Sequence, residues 1–354
     1  MEKIDVFLKE KVLCITNSIC ISFSKGSINV RETANEKIIS TVRIEKGFKR
    51  HSIISRLMRT EPRCAVMIDE NTCLISHDGT ILNYRIDNNA LYVEHKYDRG
   101  MKNPLCFCCV KDPRNNENEV YYGEYIWNVN RGPVAIYGRK KGQWLKVFEF
   151  PEDTITHIHN IIFDEINDSF YILTGDSDSD SGIWIADRYF EKVVPLVKGE
   201  QKFRACVAFP VDDGLLYATD TPLETNYIYK IILDDSGFKG IEKLCEVPGP
   251  CIYGTSMSGE YIFATSVEPD STLPTWRYRF TRKLGAGVKN RYSYILVVDK
   301  NGTIIREYKE KKDAWPIWLF QFGNFMFPYN TSDRLYATTQ ALECGHGITI
   351  KVED

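Results

Sequence analysis

A short strand pattern recurs along the chain, and this repeat constrains the fold more than any single motif. An apolar or aromatic run that ends in small polar residues returns about every 45 to 50 residues. Its copies are residues 73–76, 120–123, 171–174, 216–219 and 262–265. A turn and a further strand follow each copy, so each repeat has the pattern of a four-stranded antiparallel blade. A period of this length is typical of β-propellers.

The two ends of the chain supply further blades. Strand-like segments there are residues 12–16, 19–23, 27–31, 38–43, 325–329 and 335–339. The 20 Tyr and 18 Phe also favour strands, because aromatic side chains fit a pleated, half-buried surface. We therefore predict an all-β chain that folds as one β-propeller domain over residues 1–354, with seven blades preferred and six as the alternative.

Two segments interrupt the strand pattern. Residues 48–59 can place Phe48, Ile54, Leu57 and Met58 on one helical face and basic residues on the other, which predicts a helical crossing on the surface. The basic residues 276–291 lengthen one repeat, so we expect an inserted loop on one rim. Insertions of this kind often shape a binding surface.

Composition and charge exclude several classes of function. The net charge is -3, which gives no overall attraction to a polyanion, so nucleic acid is not an expected partner. The apolar segments 12–23 and 315–332 are broken by polar residues or prolines, so neither a signal peptide nor a membrane span is predicted. The odd count of eleven cysteines in a long chain without a predicted signal peptide predicts reduced thiols and a cytoplasmic location.

Aligning the repeats superimposes residues that are distant in sequence, because equivalent positions of successive blades surround one axis. One aligned column follows the repeated strand and is acidic, at intervals of 46, 52, 44 and 48 residues. It contains Asp78, Glu124, Asp176, Asp220 and Glu268. In this register the five carboxylates cluster at one end of the channel. The alternative interpretation is that these residues only cap turns.

A second column precedes the first strand of each repeat and is chemically mixed. It contains Arg63, His157 or His159, Arg204, Tyr253 and Trp315. Such a set offers forked donors for a carboxylate, an imidazole that titrates near neutrality and flat faces for sugar rings. Gln201 lies just before Arg204 and joins the expected contacts.

The segment His157-Ile158-His159 would place both imidazoles on the same side of a strand. Two imidazoles with carboxylates from the acidic column could hold a divalent metal. The sequence predicts no cofactor, and a metal at His157 and His159 is the alternative. The run Asp176, Asp178, Asp180 resembles the start of a calcium loop, but the required Gly and Glu are missing, so a solvated turn is expected.

Several turns resemble a known family. The segments GRKKGQW (138–144), DRYFEKV (187–193) and DKNGTI (299–304) resemble the Asp-box (BNR) turns of sialidase-like propellers. The segments HIH, TGDSDSDSGIW, GEQKFRA and TDTP, within residues 120–230, resemble bacterial propellers labelled glycosyl hydrolases. This resemblance implies a propeller that acts on carbohydrate.

We therefore predict a carbohydrate-active enzyme that takes an acidic sugar or oligosaccharide at the propeller axis. As a glycoside hydrolase it would use two carboxylates across the glycosidic bond. The candidates for this role are Asp176, Asp220 and Glu124. The candidates for substrate binding are Arg63, Arg204, Gln201, Glu268, Asp78 and Trp315.

Two alternatives remain open. As a lyase, the enzyme would use Arg204 to neutralise a uronate, His159 or His157 to remove the acidified proton and Tyr253 to protonate the leaving oxygen. As a non-catalytic propeller, the chain would bind a glycan or a protein through one rim.

Overall fold

The fold is that of a computed structural model, which describes residues 5–44, 52–114, 116–234 and 237–352. In these residues, 29 strands form seven separate sheets. Neighbouring sheets contact each other, in most cases first strand to first strand, and the last sheet contacts the first, so the sheets stand around a common axis. The chain is a seven-bladed β-propeller, which confirms the predicted class and the preferred blade count.

The strands follow one another in blade order. The chain begins with β1 (Val6–Leu8). Blade 1 contains β2 (Lys11–Ile15), β3 (Ile19–Ser24), β4 (Ser27–Glu32) and β5 (Ile38–Arg43). Blade 2 contains β6 (Ala65–Asp69), β7 (Thr72–His77), β8 (Thr80–Arg85) and β9 (Ala90–Lys96). Blade 3 contains β10 (Cys108–Lys111), β11 (Asn118–Gly123), β12 (Val134–Lys140) and β13 (Gln143–Phe150).

The second half of the chain continues the pattern. Blade 4 contains β14 (His157–Asp164), β15 (Ser169–Gly175), β16 (Gly182–Asp187) and β17 (Val193–Lys198). Blade 5 contains β18 (Ala205–Val211), β19 (Gly214–Thr219), β20 (Asn226–Asp234) and β21 (Gly237–Val247). Blade 6 contains β22 (Cys251–Met257), β23 (Glu260–Thr265), β24 (Tyr292–Val298) and β25 (Ile304–Lys311). Blade 7 contains β26 (Asn324–Met326), β28 (Leu335–Gln340), β29 (Ile348–Val352) and β1, while β27 (Tyr329–Asn330) joins the sheet of blade 1.

Both ends of the described chain close the ring. Strand β1 pairs antiparallel with β29, with Val6 opposite Ile350. Strand β27 pairs parallel with β2, with Cys14 opposite Tyr329. Because Phe7 is also buried, the N-terminal strand completes the last blade by packing as well as by hydrogen bonding.

The core lies between neighbouring blades. The second strands β7, β15 and β19 are buried along their whole length, whereas the outer strands β9 and β13 consist almost entirely of half-buried and exposed positions. Apolar clusters fill the space between sheets, such as the one that joins blades 3 and 4 around Tyr121 and Phe170. All eleven cysteines lie in described residues, and none forms a disulfide.

The helical prediction is only partly confirmed. A helix, α1 (Ser52–Met58), follows blade 1, but Phe48 lies outside the described residues. Leu57 and Met58 are exposed, whereas Arg56 forms a 2.6 Å ion pair with Asp313. The predicted apolar contact face is therefore wrong, because an arginine of this helix makes the tertiary contact.

The inserted segment lies between the second and third strands of blade 6. It contains a second helix, α2 (Thr275–Phe280), as part of the long connection from β23 to β24. Residues 276–291 thus lie in this long connection. The described part of the chain contains no helix with the length and apolar character needed to cross a bilayer.

Candidate functional site

One face of the ring holds both sets of aligned residues, because first strands begin and second strands end at the same face of an antiparallel blade. A cavity of about 720 Å³ opens there. The aligned residues that line it are Arg63, His159, Asp176, Arg204, Asp220, Tyr253 and Glu268. The repeat thus brings together residues of blades 2, 4, 5 and 6 and of the connections beside their strands.

Two imidazoles and a carboxylate form a close cluster at the start of blade 4. His157 and His159 face each other with 3.0 Å between their Nε2 atoms, which confirms that they share one side of β14. Asp176 follows β15, and its carboxylate lies 3.5 Å from His157 Nε2 and 3.3 Å from His159 Nε2. His159 Nδ1 lies 2.9 Å from the carbonyl oxygen of Ala205, and a carbonyl oxygen can only accept a hydrogen bond. The neutral ring therefore carries its proton on Nδ1 and keeps a lone pair on Nε2.

Arg204 ties this cluster to blade 5. Its Nη2 lies 2.9 Å from Asp176 Oδ1, and its Nη1 donates to the Asp176 carbonyl at 3.0 Å. Its Nε lies 3.7 Å from Asp220 Oδ2. Cys206 donates its thiol to the same Asp220 oxygen at 3.1 Å, while Asp220 Oδ1 is buried without a hydrogen-bond partner. Arg204 is therefore already engaged by two carboxylates.

The three aligned acids of the cavity differ in their pKa shifts. Burial alone would raise the pKa of Asp176, but its contacts with His157 and His159 and the charge of Arg204 hold it well below its usual range. Burial raises the pKa of Asp220 to about 8, against the opposing charge of Arg204 and with the help of Glu268. Burial also raises the pKa of Glu268. The aligned acids thus comprise one with a lowered pKa and two with a raised pKa.

The opposite side of the cavity is cationic. Arg63 precedes blade 2, and its Nη2 donates to the hydroxyl of Tyr253 at 3.1 Å, with the ring of Tyr125 5.5 Å from the guanidinium. Arg63 Nε is buried without a hydrogen-bond partner. Lys11 begins β2, is only 6% exposed, and directs its Nζ at the Met326 sulfur, 3.6 Å away. Among the residues that the structure describes, neither cation forms a direct ion pair with a carboxylate. Glu61 also lines the cavity, and its charge acts on Lys11 at longer range, where it opposes the lowering of the Lys11 pKa by burial.

The donor atoms of the cavity also satisfy a metal-binding geometry. Suitable atoms of His157, His159 and Asp176 lie within 4.8 Å of one another, as do those of His159, Cys206 and Asp220. The bond from His159 Nδ1 to a backbone carbonyl is the usual orienting contact of a metal-binding imidazole. These groups could therefore hold a divalent cation.

Two members of the acidic column do not reach the cavity. Asp78 occupies a two-residue hairpin with Gly79, where both φ angles are positive (39° and 88°), so the strand turns back at once. Glu124 turns toward its own blade, where its carboxylate accepts the backbone N–H of Ala135 at 2.8 Å and lies 3.4 Å from Arg99 Nη1. Placing these two residues in the central ring was wrong.

Two expected substrate contacts also lie elsewhere. Trp315 belongs to the connection before blade 7, is 55% exposed and packs on Phe320, and it does not line the cavity. Gln201 supports the Asp176 loop from outside, donating to the Asp176 carbonyl at 3.0 Å and to Asp178 Oδ1 at 2.9 Å. Asp180 is buried and pairs with Arg131, so the run of acids is not simply a solvated turn.

Sequence reasoning missed several cavity residues, among them Lys11, Tyr125 and Tyr278. Lys11 begins the first strand of blade 1, close to the position at which Arg63 precedes the first strand of blade 2, so extending the second column by one repeat points to it. Tyr125 follows Glu124 directly and replaces it at the cavity, with its ring 4.9 Å from that of His157. Tyr278 enters from α2, and no repeat could have aligned it because the insertion has no counterpart.

Comparison with known proteins defines the fold but no family. No protein-family model matches the chain, and no curated protein matches it. An oligogalacturonate lyase in complex with manganese is 10% identical with a TM-score of 0.54, over 99% of this chain and 90% of that chain. The AfRom2 CNH domain is 8% identical with a TM-score of 0.56, over 99% and 95%.

A third solved structure extends the comparison. The extracellular domain of a hybrid two-component system from B. thetaiotaomicron is 11% identical with a TM-score of 0.55, and the match covers 99% of this chain but 39% of that chain. At such identities the likeness concerns the fold alone. The chain is a seven-bladed propeller similar in fold to these proteins.

Proposed function

We propose that this propeller binds a carboxylate-bearing oligosaccharide in its central cavity and cleaves it by β-elimination. The observation that carries the proposal is the pair of cations Arg63 and Lys11, which line the cavity without a direct ion pair to a carboxylate in the described residues, Glu61 acting on Lys11 only at longer range. Removing a cation from water is costly unless an anion compensates it. A uronate carboxylate would supply that anion, and the similarity in fold to an oligogalacturonate lyase supports the same substrate class.

The cavity offers a group for each part of an elimination. A base removes the proton α to the uronate carboxylate, the freed electron pair forms a carbon–carbon double bond, and the glycosidic oxygen leaves with a proton from an acid. Arg63 and Lys11 would neutralise the carboxylate and so stabilise the charge that develops on it. The lone pair on Nε2 suits His159 to accept the proton, since its Nδ1 is held by Ala205.

Tyr253 suits the role of acid. Burial raises its pKa despite the neighbouring Arg63, so the phenol keeps its proton near neutrality. Its hydroxyl lies 3.1 Å from Arg63 Nη2, beside the place where the carboxylate would bind. Arg204 then has a different role from the one expected from the sequence. Because it is bound to Asp176 and Asp220, it would position the cluster while Arg63 holds the substrate.

A divalent cation is part of the same proposal in a metal-loaded form. His157, His159 and Asp176 would hold it, and the similar lyase is in complex with manganese. When bound, the ion would supply a further fixed positive charge for the substrate carboxylate. As a metal ligand, His159 would no longer be free to accept the proton, so the metal-free and metal-loaded forms are alternatives. Chelation distinguishes them, because an enzyme that acts without metal keeps its activity in EDTA.

Glycoside hydrolysis is the second candidate. It is favoured by the opposite pKa shifts of two acids: the pKa of Asp176 is lowered, whereas that of Asp220 is raised to about 8. Two acids with opposite pKa shifts are typical of a pair in which one acts as acid and the other as base. Such an enzyme would produce reducing ends without a double bond. The turns that resemble those of sialidase-like propellers also favour hydrolysis. A propeller that only binds glycan would give neither product.

The test is a product assay with oligogalacturonates and other oligouronates of defined length. Elimination predicts equal amounts of new reducing ends and of ultraviolet-absorbing unsaturated ends, whereas reducing ends alone would establish hydrolysis. Arg63→Gln should lower kcat/KM by about 100-fold, as expected when a charge-stabilising donor is removed. Arg85→Gln, on an exposed position of blade 2, is the matched control. Absence of both products with every uronate would overturn the proposal.

A further inference from the structure

The connection between β11 and β12 carries an unusual side chain at the mouth of the cavity. Trp127 lines the cavity and is 93% exposed, the highest exposure of any large apolar side chain in the described residues. Two residues earlier, Tyr125 packs inside against His157. This connection therefore links the interior of the site to its outer rim.

The backbone around Trp127 is held firmly. Arg99 donates to Asn128 Oδ1 at 3.1 Å, and Asn128 exchanges hydrogen bonds of 2.8 and 3.1 Å with the backbone of Gly132. Arg131 donates to the Asp153 carbonyl at 2.9 Å and pairs with Asp180 of blade 4. These bonds anchor the connection after Trp127, and the packing of Tyr125 against His157 anchors it before Trp127. Its indole projects from a braced turn.

The surroundings of the indole suit a sugar ring. An indole that stays in water contributes little to folding, so its position needs another reason. Its flat face can cover the apolar face of a sugar while its N–H stays in water. Leu223 lines the cavity from blade 5 and is 47% exposed, and Lys102 adds a positive charge to the lining.

We propose that Trp127 is the stacking platform of a distal subsite, which binds a sugar unit beyond those inside the cavity and makes the chain prefer longer oligouronates. This inference rests on the proposed function and deepens it, because it specifies substrate length. A chain that leaves the cavity would place its next ring on the indole, and Lys102 would attract the carboxylate of that ring.

The experiment measures kcat and KM with oligouronates of increasing length. Trp127→Ala should lower kcat/KM about three- to tenfold for long substrates, mainly through KM, and leave the shortest cleaved substrate unchanged. Trp127→Phe should restore most of the loss, since it keeps an aromatic face. Tyr92→Ala, which removes a half-exposed ring from the outer strand β9, is the control and should have no effect.

Binding of a long substrate should also shift the tryptophan emission of the wild type more than that of Trp127→Ala. An equal loss of kcat/KM in Trp127→Ala at every substrate length, or no loss at any length, would overturn the distal subsite. Product formation by the wild type would still support the proposed function. Failure of the wild type to form any product would overturn the proposed function, and this inference with it.

Discussion

A single methyl group at Gly175 should disrupt the site without removing any of its functional groups. Gly175 ends β15 and lies opposite His157 in the sheet. A Cβ at this position would lie 2.4 Å from His159 Cε1 and 3.2 Å from Arg204 Cγ. His159 cannot move away without losing its 2.9 Å bond to the Ala205 carbonyl. Gly175→Ala therefore forces apart groups that the proposed mechanism needs together.

The size of the effect follows from two contributions. Overpacking a tight interior costs about 1–3 kcal/mol. Leaving a buried polar group without its partner costs about 1–3 kcal/mol more. We expect Gly175→Ala to lower the free energy of unfolding by about 2–6 kcal/mol and to weaken substrate affinity at least tenfold. Urea unfolding and calorimetric titration with an oligouronate measure the two quantities.

Gly240→Ala is the matched control. Gly240 lies in the outer strand β21, and a Cβ there would meet nothing within 4 Å. This variant should keep the stability and affinity of the wild type. If Gly175→Ala did the same, the close packing of Gly175 against His159 and Arg204 would be wrong.

The remaining predictions concern the fold outside the cavity. Glu94 accepts hydrogen bonds from Arg139 Nε at 2.7 Å and from Asn83 at 2.6 Å, so Glu94→Gln should lower the free energy of unfolding in urea by about 3 kcal/mol. Burial opposes ionisation of Glu94, but these bonds hold its pKa below the ordinary value. The ionised carboxylate therefore stabilises the fold fully at pH values above the pKa of Glu94 in the unfolded chain, and this stabilisation is lost as the pH falls through the lower pKa of the folded chain. The difference between wild type and variant should therefore shrink in acid, and a constant difference would contradict this origin. Deleting β1 should cost about 4 kcal/mol by thermal or urea unfolding, because two large buried side chains, Phe7 and Leu8, are lost, and an unchanged midpoint would refute ring closure by this strand. Native thiols should react slowly with a thiol reagent at pH 8, since burial raises the pKa of Cys106 to about 12, and all eleven should react after denaturation; rapid native reaction would contradict the burial.

The sequence was sufficient to predict the blades because each one is made of local strand pairing. Alternating strands and short turns occur within about 45 residues of chain, so the repeat is visible without tertiary information. Closure of the ring was not predicted. It depends on the three residues of β1 pairing with β29 at the other end of the chain, and so short a strand has no pattern of its own.

The site was predictable only where the connections between strands are alike. Asp176 and Asp220 follow their strands into longer connections that face the cavity, whereas Asp78 sits in a tight hairpin that cannot reach it. Trp315 was misaligned because the connection before blade 7 is long, and residues nearer to β26, such as Phe322, take its place at the cavity. Glu124 also opens a long connection, but its side chain turns to Ala135 of its own blade. Loop length and side-chain direction, which the strand repeat does not encode, together decide which aligned residues meet.

A crystal structure of the Tyr253→Phe variant with a bound trigalacturonate tests the central claim most directly, because removing the proposed acid slows turnover while leaving the cations in place. The account predicts one sugar carboxylate within hydrogen-bonding distance of Arg63 and Lys11, with the adjoining ring facing His159. A trisaccharide bound outside the cavity, or one whose carboxylates avoid both cations, would contradict it.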